Sequence, residues 1–263
     1  MKPFFKSDSY HTDENYPRAL MDKLVLNSRL YFISKFVTVI LKSRSLALKG
    51  QYDSEAWASS SYDIFKITEE CGGRIHISGM DNLQKCQGPV VFISNHMSTL
   101  EPMLFPCIIA PQMKVTYIIK DSLVTHPFFG PIVRTRDPIV VSRSNSREDL
   151  VTVMNKGQVL LAEGTSVIVF PQSTRRVDFR PKELNSLGVK LASKANVQVV
   201  PIAVKTDFWQ NGKYVRDLGP IDRNKPIHIA FGEPISIDGM GKEEHKQVVD
   251  FISSHLDKWK ENH

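Results

Sequence analysis

The sequence predicts an α/β fold with a mostly parallel central sheet flanked by helices, and three observations predict it. Short apolar runs, such as residues 90–93, 166–170 and 198–205, alternate with longer helical patterns. Those runs are nearly apolar throughout, as strands are when helices cover both faces of a sheet. Two polar turns rich in reactive side chains follow such runs directly, where the carboxyl ends of parallel strands place functional loops. Ahead of this pattern stands a helical, basic N-terminal segment. The expected division is residues 1–72 for a tail and two-helix membrane-associating appendage, and residues 73–263 for the α/β domain.

Composition narrows the classes of function. A chain of 263 residues suits one large α/β domain. It carries 34 basic and 28 acidic residues, a net charge of +6. That excess suits an anionic membrane surface or phosphorylated substrates. No helix-turn-helix, zinc or aromatic RNA-binding signature accompanies it, so nucleic acid is not an expected partner. Cys71, Cys86 and Cys107 are odd in number and widely spaced, which fits a reducing cytosolic setting rather than a disulfide framework. Residues 1–16 are polar and mixed in charge, unlike a secretory leader. No stretch reaches the ~18 uninterrupted apolar residues of a spanning helix. Lys35 interrupts residues 30–41, and Pro106, Pro111 and Lys114 break residues 102–119.

The elements follow in order. Residues 1–17 are expected to be disordered or loosely packed. Residues 18–49 read as helical, with Leu20, Leu24 and residues 30–41 supplying apolar surface. Lys23, Arg29, Lys35, Lys42, Arg44 and Lys49 supply charge, with Asp22 as the one acid. A basic amphipathic helix of this kind lies either in a membrane interface or on the protein with a solvated face. Residues 54–71 read as a second helix, capped by Asp53 or Ser54 and stopped by Gly72 and Gly73. Strands are expected at 74–78, 90–93, 114–119, 139–142, 166–170, 198–205 and 227–231. Helices are expected at 99–109, 146–162, 184–194 and 242–260, with a short helix or turn at 127–133. Pro102 is acceptable in a first helical turn, and Ser146 with Asp149 reads as a cap.

The first reactive turn is Asn95-His96-Met97-Ser98-Thr99-Leu100-Glu101. A histidine, with an unperturbed pKa of about 6.5, can take a proton from a hydroxyl. Glu101 can fix the ring's tautomer and stabilise the imidazolium. The same residues also fit a capping box, in which Glu101 only satisfies a helix start. The second turn is Phe170-Pro171-Gln172-Ser173-Thr174-Arg175-Arg176. Arginine forks match phosphate oxygens, so this turn reads either as an anion site or as a solvated basic loop.

Together the two turns resemble the glycerolipid acyltransferase family (1-acylglycerol-3-phosphate acyltransferase-like), whose hallmarks are Asn-His-x4-Asp and Phe-Pro-Glu-Gly-Thr-Arg. Residues 120–130 with Arg143 are similar to the family's second motif, and residues 200–204 to its fourth. The likeness covers residues 73–240, with two departures: Glu101 stands for the aspartate, and Gln172-Ser173 for Glu-Gly. The second bears on which acceptor is used, because the family's glutamate helps shape the acceptor site.

The resemblance implies transfer of a fatty acyl group from a thioester to a lipid hydroxyl in phospholipid biosynthesis. His96 is the implied base, Glu101 its orienting partner, and Lys120 a candidate for stabilising the oxyanion. Arg175 is implied to hold an acceptor phosphate, with Thr174, Ser173, Arg176 and Arg143 as further binding candidates. No metal or cofactor is implied, since acyl-CoA or acyl carrier protein enters as a donor substrate. A peripheral or monotopic place on the cytoplasmic face of a membrane follows from a lipid substrate. A different acceptor, glycerol 3-phosphate or a phosphate-free lipid, and a non-catalytic lipid-binding relative are the alternatives. A thioester hydrolase is a third reading.

Overall fold

The computed structural model describes residues 1–25, 28–172, 174–213 and 216–261. The chain opens with Tyr10–His11 (β1), Leu20–Leu24 (α1), Leu30–Leu48 (α2) and Ser54–Glu70 (α3). It continues through Ile75–Ser78 (β2), Val91–Ser94 (β3), Leu100–Ile109 (α4), Val115–Lys120 (β4), Asp121–Val124 (α5) and Phe129–Arg134 (α6). Then come Ile139–Val141 (β5), Ser146–Ala162 (α7), Ser166–Val169 (β6), Leu187–Ala195 (α8), Val199–Lys205 (β7), Ile227–Phe231 (β8) and Lys242–Glu261 (α9).

One sheet orders the strands β1-β2-β8-β7-β3-β6-β4-β5. β7, β3, β6, β4 and β5 run parallel. β8 returns antiparallel to β7, β2 lies parallel to β8, and β1 is antiparallel to β2. The sheet is therefore mixed and mostly parallel. Among the described residues no α-helix separates β7 from β8, and a parallel return is usually made through a helical crossover.

Both faces of the sheet are covered, which explains the unbroken apolar runs. Phe92, Ile168 and Val200 face one core, with Phe36, Ile64 and Phe105 from α2, α3 and α4. Val91, Val167 and Val199 face the other, with Leu160, Leu191 and Ile252 from α7, α8 and α9. Helix α8 sits close behind the central strand: a Cβ on Gly188 would meet the Ile93 side chain at 2.8 Å.

The proline inside α4 is compensated from two sides. Pro106 lacks the N–H that would bond the Pro102 carbonyl, and the Tyr117 hydroxyl on β4 donates to that carbonyl at 2.9 Å. Ser61 on α3 accepts from the Cys107 N–H at 2.9 Å and donates to the Met103 carbonyl at 2.6 Å. Three elements are thus tied together at the helix that carries Glu101.

Several expectations need correction at the N-terminus. Residues 1–17 are not loose. Phe4 stacks on Tyr62 at 4.4 Å, Phe5 packs against Phe65 at 5.2 Å, and β1 joins the sheet. The Tyr10 and Thr12 hydroxyls each donate to buried Glu69 at 2.6 Å. A two-residue edge strand is too short for alternation to reveal it. Residues 18–49 are not one helix, since α1 and α2 are separate. Asp22 is fully buried and ion-paired to Arg18 and Arg223, so the acid that stood alone in sequence neutralises two arginines. The cap of α7 is Asn145, which accepts from the Arg147 and Glu148 N–H groups, rather than Ser146. Asp149 instead accepts from the backbone of Ser142 and Arg143. Asp53 caps α3 as expected, accepting from Ala56 N–H.

Candidate active site

The site is assembled where β3, β6 and β7 end side by side. Asn95 continues the β3–β7 ladder with its side chain: Nδ2 donates to the Val204 carbonyl and Oδ1 accepts from Val204 N–H, each at 2.9 Å. The next residue, His96, is then held through its own peptide. Its N–H donates to Gln172 Oε1 at 2.6 Å, and its carbonyl accepts from Arg176 N–H at 2.9 Å. Its ring stacks on Phe170, with centroids 4.4 Å apart and planes at 26°.

Glu101, the second residue of α4, has no exposed surface. Its carboxylate lies 2.8 Å from His96 Nδ1. It also accepts from Met97 N–H at 2.7 Å, Ser98 N–H at 2.9 Å, Ser98 Oγ at 2.8 Å and Thr206 Oγ1 at 2.6 Å. Glu101 therefore satisfies the helix start and contacts the histidine through the same oxygen. Burial pushes its pKa up, but the bonds from His96, Thr206 and Ser98 outweigh that and hold the carboxyl below its ordinary range. An ionised carboxylate can only accept, so Nδ1 is the donor in this contact, which leaves Nε2 as the ring nitrogen free to face a substrate. The extra methylene of glutamate, relative to aspartate, is no obstacle to this contact.

His96 lines a cavity of about 370 Å³. Its walls are largely apolar, with Val39, Trp57, Met103, Tyr117 and Phe129 among them. Lys120, Arg143, Thr174 and Arg175 line the same cavity, so four of the predicted site residues join His96 there. Arg143 sits at the turn after β5 with φ of +60°, and its N–H is held by Asp149 Oδ2 at 2.7 Å. Arg176 does not join them: its guanidinium pairs with Glu183 at 3.0 Å. Ser173 lies outside the described residues. A larger hollow of about 910 Å³ lies at the other end of the strands, near Pro89, Lys114 and Gly164, and contains none of these side chains.

Three residues escape the sequence reading. Thr206 completes the carboxylate's shell. The one signal for it is general: a buried charge needs donors, and a hydroxyl follows directly after a strand. Arg216 and Asp217 reach the cavity from a 3₁₀ turn, Arg216–Leu218, inside the long β7–β8 connection. Nothing in their spacing places them there. Gln172, at the position where the motif departs from the family pattern, is buried and accepts from the His96 N–H, and its Nε2 has no hydrogen-bond partner among the described residues. Cys107 is buried in α4, and burial pushes its pKa up to about 12, as in an inert core thiol.

Comparison with known proteins agrees with this geometry. The family model described as Acyltransferase matches residues 74–205. The 1-acyl-sn-glycerol-3-phosphate acyltransferase of Pseudomonas aeruginosa is 24% identical over 80% of this chain and 76% of its own length. Its counterpart in Saccharomyces cerevisiae is 27% identical over 78% of this chain and 66% of its own. One from Chlamydomonas reinhardtii is 28% identical, but the match spans only 44% of that longer protein. The fold is similar to the crystal structure of the 1-acyl-sn-glycerophosphate (LPA) acyltransferase PlsC from Thermotoga maritima. That similarity has a TM-score of 0.63 and 20% identity, covering 91% of this chain and 97% of the other. With half its length matched to the family model, and both motif turns inside the match, the chain belongs to the acyltransferase family.

Proposed function

We propose that this chain moves a fatty acyl group from a thioester, acyl-CoA or acyl carrier protein, to the hydroxyl of lysophosphatidic acid or a related lysophospholipid. The observation that carries the proposal is the placement of the His96–Glu101 pair. It opens onto a cavity that is apolar along its walls and lined by the cations Lys120, Arg143 and Arg175. Those walls suit an acyl chain and those cations suit a phosphate. The names of the Pseudomonas and yeast relatives support the acceptor class.

In the proposed reaction His96 Nε2 takes the acceptor hydroxyl's proton as that oxygen attacks the thioester carbonyl. The C–O bond forms, the C–S bond breaks, and the departing thiolate takes the proton from the imidazolium. Glu101 stabilises that imidazolium. Lys120, at the end of β4, is the donor proposed for the oxyanion. Arg175 and Thr174 are proposed to hold the acceptor phosphate, with Arg143 contributing charge. No acyl-enzyme is needed.

A lipid substrate requires contact with a bilayer, and α2 has a face for it. Phe32, Phe36, Val39, Ile40 and Ser43 form its buried side. Leu30, Val37, Leu41 and Leu48 are exposed, and spacings of seven and eleven residues align them in one row. Lys35, Lys42 and Lys49 form a second row at seven-residue spacing, as in helices that lie in a lipid interface. No helix among the described residues is long and apolar enough to cross a membrane. Attachment is therefore proposed to be peripheral or monotopic, on the cytoplasmic face. Leu30→Glu combined with Leu41→Glu is expected to abolish binding to anionic vesicles in a flotation assay; unchanged binding would remove α2 from the interface.

The activity is tested by release of CoA thiol from a long-chain acyl-CoA, with and without lysophosphatidic acid. Acceptor-dependent release is expected, falling roughly 10²–10⁴-fold in His96→Ala. Equal release without acceptor would replace the transferase by a hydrolase. Full activity in His96→Ala would remove the histidine from the mechanism.

A further inference from the structure

Arg175, given above to the acceptor phosphate, already has an anionic partner. Its Nη1 donates to Asp217 Oδ1 at 2.6 Å and also to Thr99 Oγ1, and Thr99 Oγ1 donates to Asp217 Oδ1 at 2.9 Å. From the same 3₁₀ turn, Arg216 Nη1 donates to Thr174 Oγ1 at 2.9 Å. The two contacts are reciprocal. The turn's acid meets the motif's arginine, and the turn's arginine meets the motif's hydroxyl. All five residues line the cavity that holds His96.

A carboxylate and a phosphate make the same demand on a guanidinium, oxygens set against its N–H fork. Asp217 therefore stands where a ligand anion would stand. The fold does not depend on it for a core contact: its side chain is 51% exposed, against 15% for Arg175. An ion pair open to water is weak, so a stronger anion can replace it. A phosphomonoester, carrying about −1.5 to −2 charge at neutral pH, is such an anion. A phosphodiester carries a single charge and gains less on the same arginine.

We propose that Asp217 is a specificity residue that competes with the acceptor's phosphate for Arg175 and so favours phosphomonoester acceptors over phosphodiester or phosphate-free ones. In the empty site Asp217 holds the guanidinium beside Thr99. An arriving phosphomonoester displaces the carboxylate, takes Arg175, and comes within the field of Arg216, which shares the displaced turn. Neutral headgroups cannot displace Asp217 and meet a closed pair. This inference rests on the reading of Arg175 as the phosphate-binding residue.

The test is calorimetric titration of inorganic phosphate into the full chain, as wild type, Asp217→Asn and Arg175→Gln. Asp217→Asn keeps the shape of the turn and removes the competing charge. It is expected to bind phosphate about threefold to fivefold tighter than wild type, the scale of one exposed ion pair. Arg175→Gln is expected to lose phosphate binding. In the transfer assay the KM for lysophosphatidic acid is expected to fall in Asp217→Asn by the same factor. The KM ratio between a phosphodiester lysolipid and lysophosphatidic acid is expected to narrow.

Equal or weaker phosphate binding by Asp217→Asn would overturn the proposal and make Asp217 a residue that positions Arg175. Undetectable binding by both wild type and Asp217→Asn would overturn it as well. Phosphate binding that survived in Arg175→Gln would remove both the proposal and the phosphate role of Arg175. Absence of acyl transfer, with the expected pattern of phosphate affinities intact, would remove the activity reading alone.

Discussion

The two ends of the His96 cavity are built to different rules. At the buried end, Glu101 accepts from five groups on two segments of chain, residues 96–98 and Thr206, and both it and Thr206 are fully buried. At the outer end, Arg175 meets Thr99 and half-exposed Asp217, and Arg216 from the same 3₁₀ turn as Asp217 meets Thr174. Taking one donor from the first leaves a buried charge short of a partner, which costs about 1–3 kcal/mol. Breaking a contact in the second costs ~1 kcal/mol or less. The histidine's tautomer is thereby locked, while the surface proposed to meet the headgroup can exchange partners. Chemistry and acceptor choice can change independently in such a site.

The largest effect is expected at the buried end. Glu101→Gln sets an amide NH₂ against a shell of donors. It is expected to lower stability by ~3 kcal/mol and acyl transfer by about a hundredfold or more, read by denaturant titration and thiol release. The same variant tests a pH dependence. Glu101 has a depressed pKa in the folded protein, so its contribution is fully present above the unfolded glutamate value of about 4.3. It is lost as pH falls through the lower folded value. Glu101→Gln is expected to flatten that acid limb; an unchanged limb would mean that other carboxylates carry it.

Thr206→Val is the next step down. It keeps the shape of the side chain and removes the hydroxyl that donates to Glu101 and accepts from Ser98. A loss of ~1–2 kcal/mol is expected, with a smaller fall in rate than in Glu101→Gln. A valine variant as active and stable as wild type would show that the shell contains a spare donor. The smallest effect on stability is expected for Arg175→Lys, which keeps the charge and loses the fork. Its melting midpoint is expected to hold, with a change within ~0.5 kcal/mol. Its KM for a phosphorylated acceptor is expected to rise about tenfold, equivalent to ~1.4 kcal/mol. If Arg175→Lys unfolded as readily as Glu101→Gln, the contrast between the two ends would disappear.

The same contrast separates what could be read in the sequence from what could not. The strands carrying His96 and Arg175 are apolar on both faces, so they stand out as runs, and the turns after them stand out as polar. Their adjacency follows from β3 pairing with β6, which places residues 93 and 169 side by side. Sheet reversal at β8, the two-residue strand β1 and the aromatic anchors Phe4 and Phe5 carry no periodic signal and went unread. The burial of Asp22 has the same origin, because its partner Arg223 is 201 residues away in sequence.

Alone, the sequence determined the strand–helix alternation, the two turns that bring a histidine, a carboxylate and an arginine to strand ends, and the family to which they point. Those depend on local pattern: hydrophobic period, caps and residue type at short spacing. Only the tertiary structure decided that Glu101 serves the helix cap and the histidine at once, and that Thr206 completes its shell. It also decided that Gln172 grips the backbone of His96, that Arg176 turns to Glu183, and that Asp217 sits on Arg175. The contacts of Gln172, Thr206 and Asp217 join residues 42 to 105 apart and are closed by packing rather than by sequence neighbourhood. A carboxylate's partners are chosen by which chain ends the sheet brings together, and that choice is not written in any one of them.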